Sequence, residues 1–600
     1  MAAGPAISTP APREPEAPAS GGPPVPARPV RAALARTLSP RRTIKLVLIV
    51  VLAYLVLPPV VLMIWKSFVG GSGLNGQATI SAYRSISSDL GQTAMQTAIF
   101  VAGTTAASMI VGMLMAWTVA RTDAAAKWLA YVAAFVGLAV PGISNIIGWL
   151  LLFGNGSGQA DQTLASVLGH PVHLSVESMP GMIAVETLMA VPIVFFLLIG
   201  PMQSFNASLE EAGSMHGAGN WAVMRRITAP LMLPAIGAAA LLILIRSVQA
   251  FEVPLLIGVP ARAHILTAQI YQALKSSLIP DYSSAAAYGT VLVAALLILV
   301  TLEQRMTREA RRFAVVTGKG DVRRPQKLGR ARWLPMVLYI VLLIGYLVPA
   351  LYLVFASFER RLGAPLTAAS FGLGNYRALF STSGFSTSVV DTLEVAVVTA
   401  VLTVILSLVA AWVSVRSARS RAAGLINAAA NAPLVIPGVV LGFGVLLFYL
   451  YSPVPLFGTI WVLVVAFTTL YLPYGMRYLR PAILSISADL EESARVSGAS
   501  EVKVIRRIVL PLVSPSAAGT ALYVFFNSFR ELAVAALLVT SATPLLSIQL
   551  LDQLVNGDLN VVSALGTVIL IVCLLAGFAA FRLAGLSSGT GRIFGQAEGR

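Results

Sequence analysis

Two glutamates, Glu252 and Glu531, occupy matching places near the end of an apolar segment in each half of the chain. A carboxylate at membrane depth is costly, and such residues usually face a cavity or an ion pathway. We therefore predict that both glutamates line a translocation path and attract a cation. The competing interpretations are an ion pair with a nearby arginine, Arg530 or Arg246, and a position already at the membrane interface.

Other side chains that could do chemistry form no recognisable site. His170 and His173 share one loop, but Pro171 between them argues against a common helical face, and a metal site needs further ligands. Neither a Ser/His/Asp arrangement nor a pair of carboxylates occurs in a segment that could form a soluble site. The one cysteine, Cys573, excludes an intramolecular disulfide framework. We expect neither enzyme chemistry nor a metal site in this chain.

The segments that must position these residues are strongly apolar. Of 600 residues, 57% are hydrophobic and only 11% are charged, whereas a soluble domain carries about 25% charged residues. The apolar residues fall in runs of about 20, which is the length of helix that crosses a bilayer. The net charge is +17, and the basic residues flank the apolar runs, as the positive-inside rule expects. We therefore favour membrane lipid over nucleic acid as the partner of these charges.

Twelve apolar segments predict an all-α membrane protein with about 12 transmembrane helices in two homologous six-helix halves. The predicted spans are 44–66, 93–119, 128–153, 180–203, 229–250 and 285–303, then 333–356, 388–414, 425–450, 458–479, 512–535 and 560–583. Arginine and lysine are absent from the loops 154–179 and 536–559, whereas ten of them lie in the linker 304–332. This asymmetry predicts that both termini are cytoplasmic.

The two halves repeat one pattern of residues, which appears when the chain is aligned with itself. Ala116-Trp117 with Arg121 matches Ala411-Trp412 with Arg416, Pro141-Gly142 matches Pro437-Gly438, and Pro59 with Ser67-Phe68 matches Pro349 with Ser357-Phe358. Each half crosses the membrane an even number of times, so the halves share one orientation and should be related by an axis along the membrane normal. A substrate path between the halves follows as a hypothesis.

The longest repeat lies in the loop after the fourth span of each half. Residues 209–230 and 490–511 align at a constant offset of 281 residues. The pattern predicts a short helix, a glycine turn and a second short helix, in which Gly217 and Gly498 end the first helix at positive φ. A partner groove could bury the narrow stripe on the first helix, which consists of Leu209, Ala212 and Met215 in one copy and Leu490, Ser493 and Val496 in the other.

These loops resemble the signature loop of the membrane subunits of bacterial ABC importers. That signature reads Glu-Ala-Ala, three residues, Gly, nine residues, Ile, one residue and Leu-Pro, and both copies match at Glu, Gly, Ile and Pro. They depart from it at Gly213, Ala229 and Ser493. The resemblance assigns ATPase docking to Glu210, Glu211, Ala212, Gly217, Ile227, Pro230, Glu491, Glu492, Gly498, Ile508 and Pro511.

The resemblance implies a multi-pass protein of the bacterial inner membrane with the fold of a type I ABC importer permease. Each loop would dock on one subunit of a cytoplasmic ABC ATPase dimer and transmit its closure to the pore. A periplasmic substrate-binding protein would deliver the substrate. The sequence holds no Gly-x4-Gly-Lys-Ser/Thr phosphate loop, so we expect ATP and magnesium on a separate ATPase and no cofactor in this chain.

The fused layout of two six-helix halves is similar to that of ferric-iron permeases, and residues 526–532 and 544–547 support that subfamily. Importers of thiamine, polyamine or phosphonate share parts of the pattern, so these substrates are alternatives. Two rival classes stay open. An ion-gradient-driven secondary transporter can have the same repeats but needs no docking loops, and a membrane scaffold or receptor would transport nothing.

The resemblance and the span pattern together divide the chain into five parts. They are a disordered Pro/Ala-rich cytoplasmic tail at 1–43, a first permease domain at 44–303 with its docking loop at 204–230, a basic cytoplasmic linker at 304–332, a second permease domain at 333–585 with its docking loop at 485–511, and a cytoplasmic C-terminal tail at 586–600.

Overall fold

The computed structural model describes most of the chain between residues 40 and 588. The described residues are 40–71, 73–74, 76–154, 158–160, 169, 175–204, 213, 215–217, 219–275, 279–312, 326–363 and 367–588. Their regular structure is helical, and the predicted all-α membrane fold is confirmed. Within these ranges, nine helices are long and apolar enough to cross a membrane, and the number reaches 12 if each of three bent helix pairs is one span. The predicted boundaries of the tails and the linker stay predictions.

The first half comprises nine labelled helices. They are α1 (Pro40–Ser67), α2 (Ser81–Arg121), α3 (Lys127–Ala139), α4 (Gly142–Phe153), α5 (Met179–Ser204), α6 (Asn220–Val223), α7 (Ala229–Gln249), α8 (Leu266–Lys275) and α9 (Tyr282–Arg312). A π-helical turn, Met224–Thr228, joins α6 to α7, and another, Pro254–Gly258, follows α7.

The second half comprises thirteen labelled helices. Its helices are α10 (Leu334–Ala356), α11 (Gly374–Ser381), α12 (Phe385–Arg416), α13 (Arg421–Asn431), α14 (Gly438–Tyr451), α15 (Ile460–Leu484), α16 (Ala488–Val496), α17 (Glu501–Val504), α18 (Leu510–Leu512), α19 (Ser514–Phe529), α20 (Ala535–Leu538), α21 (Leu546–Val555) and α22 (Leu559–Ser588). A π-helical turn, Ile505–Val509, joins α17 to α18, and 3-10 turns lie at Gly329–Trp333, Ala368–Ser370 and Ala432–Val435.

The outer helices expose large apolar side chains in a way that suits lipid. Leu57 on α1 is 58% exposed, Val341 on α10 is 58% exposed and Leu575 on α22 is 63% exposed. Helices satisfy every backbone hydrogen bond within one segment, and that makes them one of the two structures able to cross a bilayer. Apolar composition and helical structure therefore have the same physical origin in this chain.

The third span of each half is bent, which corrects the continuous helices predicted over 128–153 and 425–450. α3 and α4 meet at 97°, and Arg421–Val435 meets α14 at 110°. Pro141 and Pro437 lie at the two bends. Proline lacks an N–H and moves the preceding residue out of the helical region, so each helix stops there. Such interruptions are tolerated at membrane depth where protein or a cavity surrounds them.

The first helix of each half packs against the bent span of the other half. α1 contacts α13 and α14, and α10 contacts α3 and α4. In α14, a Cβ at Gly444 would lie 2.6 Å from the carbonyl oxygen of Pro59, and Gly148 faces the carbonyl of Pro349 in the same way. The matched prolines of the sequence repeat therefore lie at the interface between the halves, which holds the central region together.

Candidate functional site

The second docking loop has the predicted helix, glycine turn and helix. α16 begins after Ser487, whose hydroxyl accepts a hydrogen bond from the Asp489 amide at 3.2 Å. Gly498 follows α16 with φ of 83°, a conformation that L side chains rarely adopt. α17 then begins after Ser500, whose hydroxyl caps the Lys503 amide at 3.4 Å. Local sequence therefore sets the start of both short helices and the turn between them.

Glu491 anchors this loop to the end of α12. It is 0% exposed, and its carboxylate accepts hydrogen bonds from Arg416 Nε at 2.7 Å, Trp412 Nε1 at 3.1 Å and Arg495 Nη2 at 2.9 Å. Removing a carboxylate from water is tolerable only when its charge is paired and its lone pairs are satisfied. Glu491 therefore positions the loop from inside, whereas the adjacent Glu492 is exposed.

The contacts of Glu491 involve one of the repeats that the sequence shows, which is Trp117 with Arg121 in the first half and Trp412 with Arg416 in the second. In the second half it provides the two α12 side chains that bind the loop glutamate. In the first half, Trp117 and Arg121 occupy the end of α2. Their counterpart in the loop, Glu210, lies outside the described residues, as do Glu211 and Ala212.

Where both docking loops are described, they share one geometry. Gly217 has φ of 81°, close to the 83° of Gly498. Met215 and Val496 hold the same place in the repeat, and they are 87% and 89% exposed. Matching π-helical turns, Met224–Thr228 and Ile505–Val509, lie near the end of each loop, and the remaining predicted docking residues lie in these turns or just beyond them. Ile227 and Ile508 are half-buried, and Pro230 and Pro511 are exposed.

A cavity of about 280 Å³ lies between the halves, and both predicted path glutamates line it. Each glutamate also reaches the bend of the third span in its own half. A Cβ at Gly142 would lie 2.9 Å from Glu252 Oε2, and one at Gly438 would lie 3.7 Å from Glu531 Oε1. Glu252 and Glu531, which match in sequence, therefore also have equivalent places in the fold, next to the bends in α3–α4 and α13–α14.

The two glutamates differ in their partners. Tyr471 OH donates to Glu531 Oε2 at 2.6 Å, and the amides of Ala533 and Val534 donate to Oε1 at 3.1 and 3.3 Å. Glu252 has no hydrogen bond or ion pair with any residue that the structure describes. Over the same residues, neither of the ion pairs considered from sequence, with Arg530 or with Arg246, forms within 4.0 Å.

Sequence reasoning missed a third carboxylate at this cavity. Glu186 on α5 is 7% exposed and lines the cavity, as do Arg246 and Arg530. The available signal was simple, because Glu186 is the one acidic residue of the predicted span 180–203. An ionisable residue inside an apolar span is a functional candidate by default.

A second, larger cavity of about 860 Å³ lies nearby and is lined by residues of both halves, including Lys275 and Asp552. Phe251 and Tyr271 connect the two cavities, since Phe251 lines the smaller one and Tyr271 the larger. Their rings meet edge to face with centroids 6.1 Å apart. The aromatic pair is thus placed between the two spaces.

The histidines and the cysteine that were considered for metal binding have different places in the chain. His170 and His173 lie outside the described residues. Among the residues that are described, no three His, Cys, Asp or Glu side chains are grouped so that they could hold a metal ion. Cys573 is buried, at 1% exposure.

Comparison with known proteins agrees with the repeat. The family described as "Binding-protein-dependent transport system inner membrane component" matches twice, over residues 108–308 and 403–588. The ferric transport system permease protein FbpB of Actinobacillus pleuropneumoniae is 25% identical over 476 residues, or 78% of this chain and 67% of that protein. The putative ferric transport system permease protein FbpB 1 of Haemophilus influenzae is 26% identical over 447 residues, or 73% and 68%. The trehalose transport system permease protein SugB of Mycobacterium tuberculosis is 26% identical over 204 residues, or 32% and 71%.

Proposed function

The chain belongs to the family of binding-protein-dependent transport system inner membrane components, and from this premise we propose that it is the permease subunit of an ATP-driven ABC importer. These two matches confirm the family that the sequence predicted. It is a family of membrane permeases and not of enzymes. The two family matches fall one in each half, which fits a fused permease with two homologous domains.

The observation that carries this proposal is the pair of docking loops. Each loop exposes one apolar side chain at the same place in the repeat, Met215 at 87% and Val496 at 89%. In the second loop this side chain lies on the short helix α16. In the second half, that helix is tied through Glu491 to the end of a long membrane helix, α12. A force applied to the loop would therefore reach the membrane helices directly.

The partner that fits these loops is a cytoplasmic ABC ATPase dimer that carries ATP and magnesium. Its closure would draw the two loops together and change access to the central cavity. A ligand-driven change needs a difference in binding between the two states. The contacts of each loop with the open and closed ATPase would provide that difference.

A periplasmic binding protein would deliver the substrate to the larger cavity, and the aromatic pair Phe251–Tyr271 would separate that entrance from the smaller one. We propose ferric iron as the cargo, because two FbpB permeases are similar over more than two thirds of this chain. The shorter similarity to a trehalose permease supports the transporter class and not the metal. Thiamine, polyamine and phosphonate stay alternatives within the same class.

Co-purification with the ATPase tests the proposal. The wild-type chain, isolated from its native host, should retain an ABC ATPase. The double substitution Met215→Glu and Val496→Glu should lower the retained ATPase at least about tenfold, because a charge at the centre of an apolar contact is strongly unfavourable. The matched control is Val555→Glu, since Val555 is 75% exposed at the end of α21 and lies outside both loops.

Transport measurements separate the rival classes. An importer driven by ATP should lose uptake in the double docking variant and keep it in the control. Uptake that persists without ATP and follows an ion gradient would establish the secondary transporter instead. A chain that never moves any candidate substrate, with its ATPase present, would establish the scaffold or receptor.

A further inference from the structure

The smaller cavity between the halves is lined by charged side chains of both signs. Glu186, Glu252 and Glu531 provide three carboxylates, and Arg246 and Arg530 provide two guanidinium groups. They come from both halves, on α5, α7, the segment after α7, and the segment after α19. Opposite charges that share a small cavity would normally pair.

These carboxylates and guanidinium groups do not form ion pairs with one another. Within the described residues, no carboxylate oxygen of the three lies within 4.0 Å of either guanidinium group. Glu186 and Glu252 accept no hydrogen bond from any residue that the structure describes, although Glu186 is only 7% exposed. Arg530 donates to Asn527 Oδ1 at 3.1 Å and lies over the Phe526 ring at 4.5 Å, so it too keeps donors for another group.

Ionisable side chains at membrane depth are costly and usually face a cavity or a substrate path, and Glu186 is buried while Glu252 is half-buried. The molecule that occupies the cavity should therefore supply the missing partners. Two carboxylates with free acceptors call for a cationic group. Two guanidinium groups call for an oxyanion, because their fork of N–H donors matches oxyanion geometry. A bare cation would meet the carboxylates but would be repelled by both arginines.

We propose that this cavity takes a cargo of paired charge, in which a cation and an oxyanion travel together. Its cationic part faces Glu186 and Glu252, and its oxyanion faces Arg246 and Arg530. The chemistry fits a metal ion that keeps an oxyanion ligand, and it also fits a zwitterion such as an aminophosphonate. This inference rests on the proposed function, since it assigns the cargo of the same permease.

The geometry favours a complexed metal over a naked one. Among the described residues, the three carboxylates are not grouped closely enough to hold a metal ion by themselves. A metal that retains its oxyanion ligand needs no such cage, because the protein then recognises the charges of the complex.

Uptake by cells of the native host, in which each variant replaces the wild-type chain, tests the proposal. The probes are labelled ferric citrate, labelled 2-aminoethylphosphonate and labelled putrescine, which stand for a metal–oxyanion complex, a zwitterion and a cation without an oxyanion. Arg246→Gln and Arg530→Gln should each lower uptake of the transported probe at least about tenfold, the loss expected when one side of a buried charge contact is removed. Glu186→Gln should lower it by a similar factor.

Conservative and matched variants show whether charge is the cause. Arg246→Lys keeps the charge and should restore part of the uptake. Arg377→Gln and Glu394→Gln change exposed residues on α11 and α12 and should transport like the wild type. Retention of the ATPase by every variant shows that the chain has folded.

The outcomes divide cleanly. Uptake of ferric citrate or of the aminophosphonate, lost in the arginine variants, supports the proposal and identifies the source of the oxyanion. Unchanged or faster uptake in Arg246→Gln and Arg530→Gln, or transport of putrescine alone, would overturn it in favour of a simple cation. The proposed function itself fails in a different way, because the wild-type chain would then retain no ABC ATPase when it is isolated from its native host.

Discussion

The carboxylate of Glu491 lies 2.7 Å from the guanidinium group of Arg416, where the second docking loop meets the end of α12. A second arginine, Arg495, binds the same carboxylate from within the loop at 2.9 Å. Two neighbouring glutamates of one motif thus have different tasks. Glu491 holds the loop in place, and Glu492 is exposed on its surface, where we propose that it contacts the ATPase.

Removing this anchor should loosen the loop without unfolding the membrane helices. Glu491→Ala should lower the local stability of residues 488–504 by about 1–3 kcal/mol, because it removes the ion pair to Arg416 and leaves the N–H of the buried Trp412 side chain without its acceptor. Hydrogen exchange of the backbone amides in that segment measures the change. Glu492→Ala is the matched control and should leave exchange unchanged while it weakens ATPase retention. Equal exchange in both variants would contradict the assignment of separate roles.

Gly498 should be required for its backbone conformation alone. Its φ is 83°, and a Cβ there would meet no atom within 4 Å. Gly498→Ala should therefore cost about 1 kcal/mol through the strain of a left-handed L residue. Gly498→Asn should cost less and Gly498→Val more. Hydrogen exchange of the loop reports the order, and an equal cost for all three would show that the turn can relax.

The contact between Gly444 and Pro59 should control the packing of the two halves. Gly444→Ala places a methyl group 2.6 Å from the Pro59 carbonyl oxygen, which is backbone and cannot rotate away. We expect a loss of about 1–3 kcal/mol from overpacking, seen as a lower unfolding temperature in detergent.

Gly200→Ala is the control for that experiment. It lies within α5, where a Cβ would meet nothing within 4 Å. Helix propensity should make this change neutral or slightly stabilising. Equal unfolding temperatures for the Gly444 and Gly200 variants would show that the halves are not held at this contact.

Tyr471 should fix Glu531 in the central cavity. Its hydroxyl donates to the carboxylate at 2.6 Å, and a hydrogen bond to a charged group contributes about 1.5–3 kcal/mol. Tyr471→Phe should lower uptake of the cargo while ATPase retention stays normal. Tyr478→Phe, which changes a tyrosine that is 48% exposed, should transport like the wild type. Normal uptake in both variants would remove Glu531 from the path.

The sequence alone was sufficient for features that depend on local chemistry or on repetition. Apolar runs predict membrane helices because a bilayer accepts little else. Spacing predicted a helix, a glycine turn and a helix in each loop, and the serine caps and the positive φ of Gly498 agree with that prediction in the second loop. The matching of Glu252 with Glu531 followed from the repeat, and both side chains reach the same cavity.

The sequence did not predict which of the proline-containing spans would break. Helices continue through Pro192, Pro349 and Pro473, yet they break at Pro141 and Pro437. Proline removes one hydrogen bond in every case. Whether the helix bends or breaks depends on the neighbours that can satisfy the freed carbonyl, and those neighbours come from distant parts of the chain.

Only the tertiary structure decided which charges face one another. Glu186, Arg246 and Arg530 are far apart in sequence from one another, and Glu186 is the one charged residue of its apolar segment. The packing of α5, α7 and α19 around the bent spans brings them to one cavity. Likewise, the buried side of Glu491 depends on its contact with α12. Residue type and spacing determine helices and repeats, because those interactions are local. The orientation of a side chain toward a cavity, a partner or the interior depends on contacts between helices that the spacing along the chain does not contain.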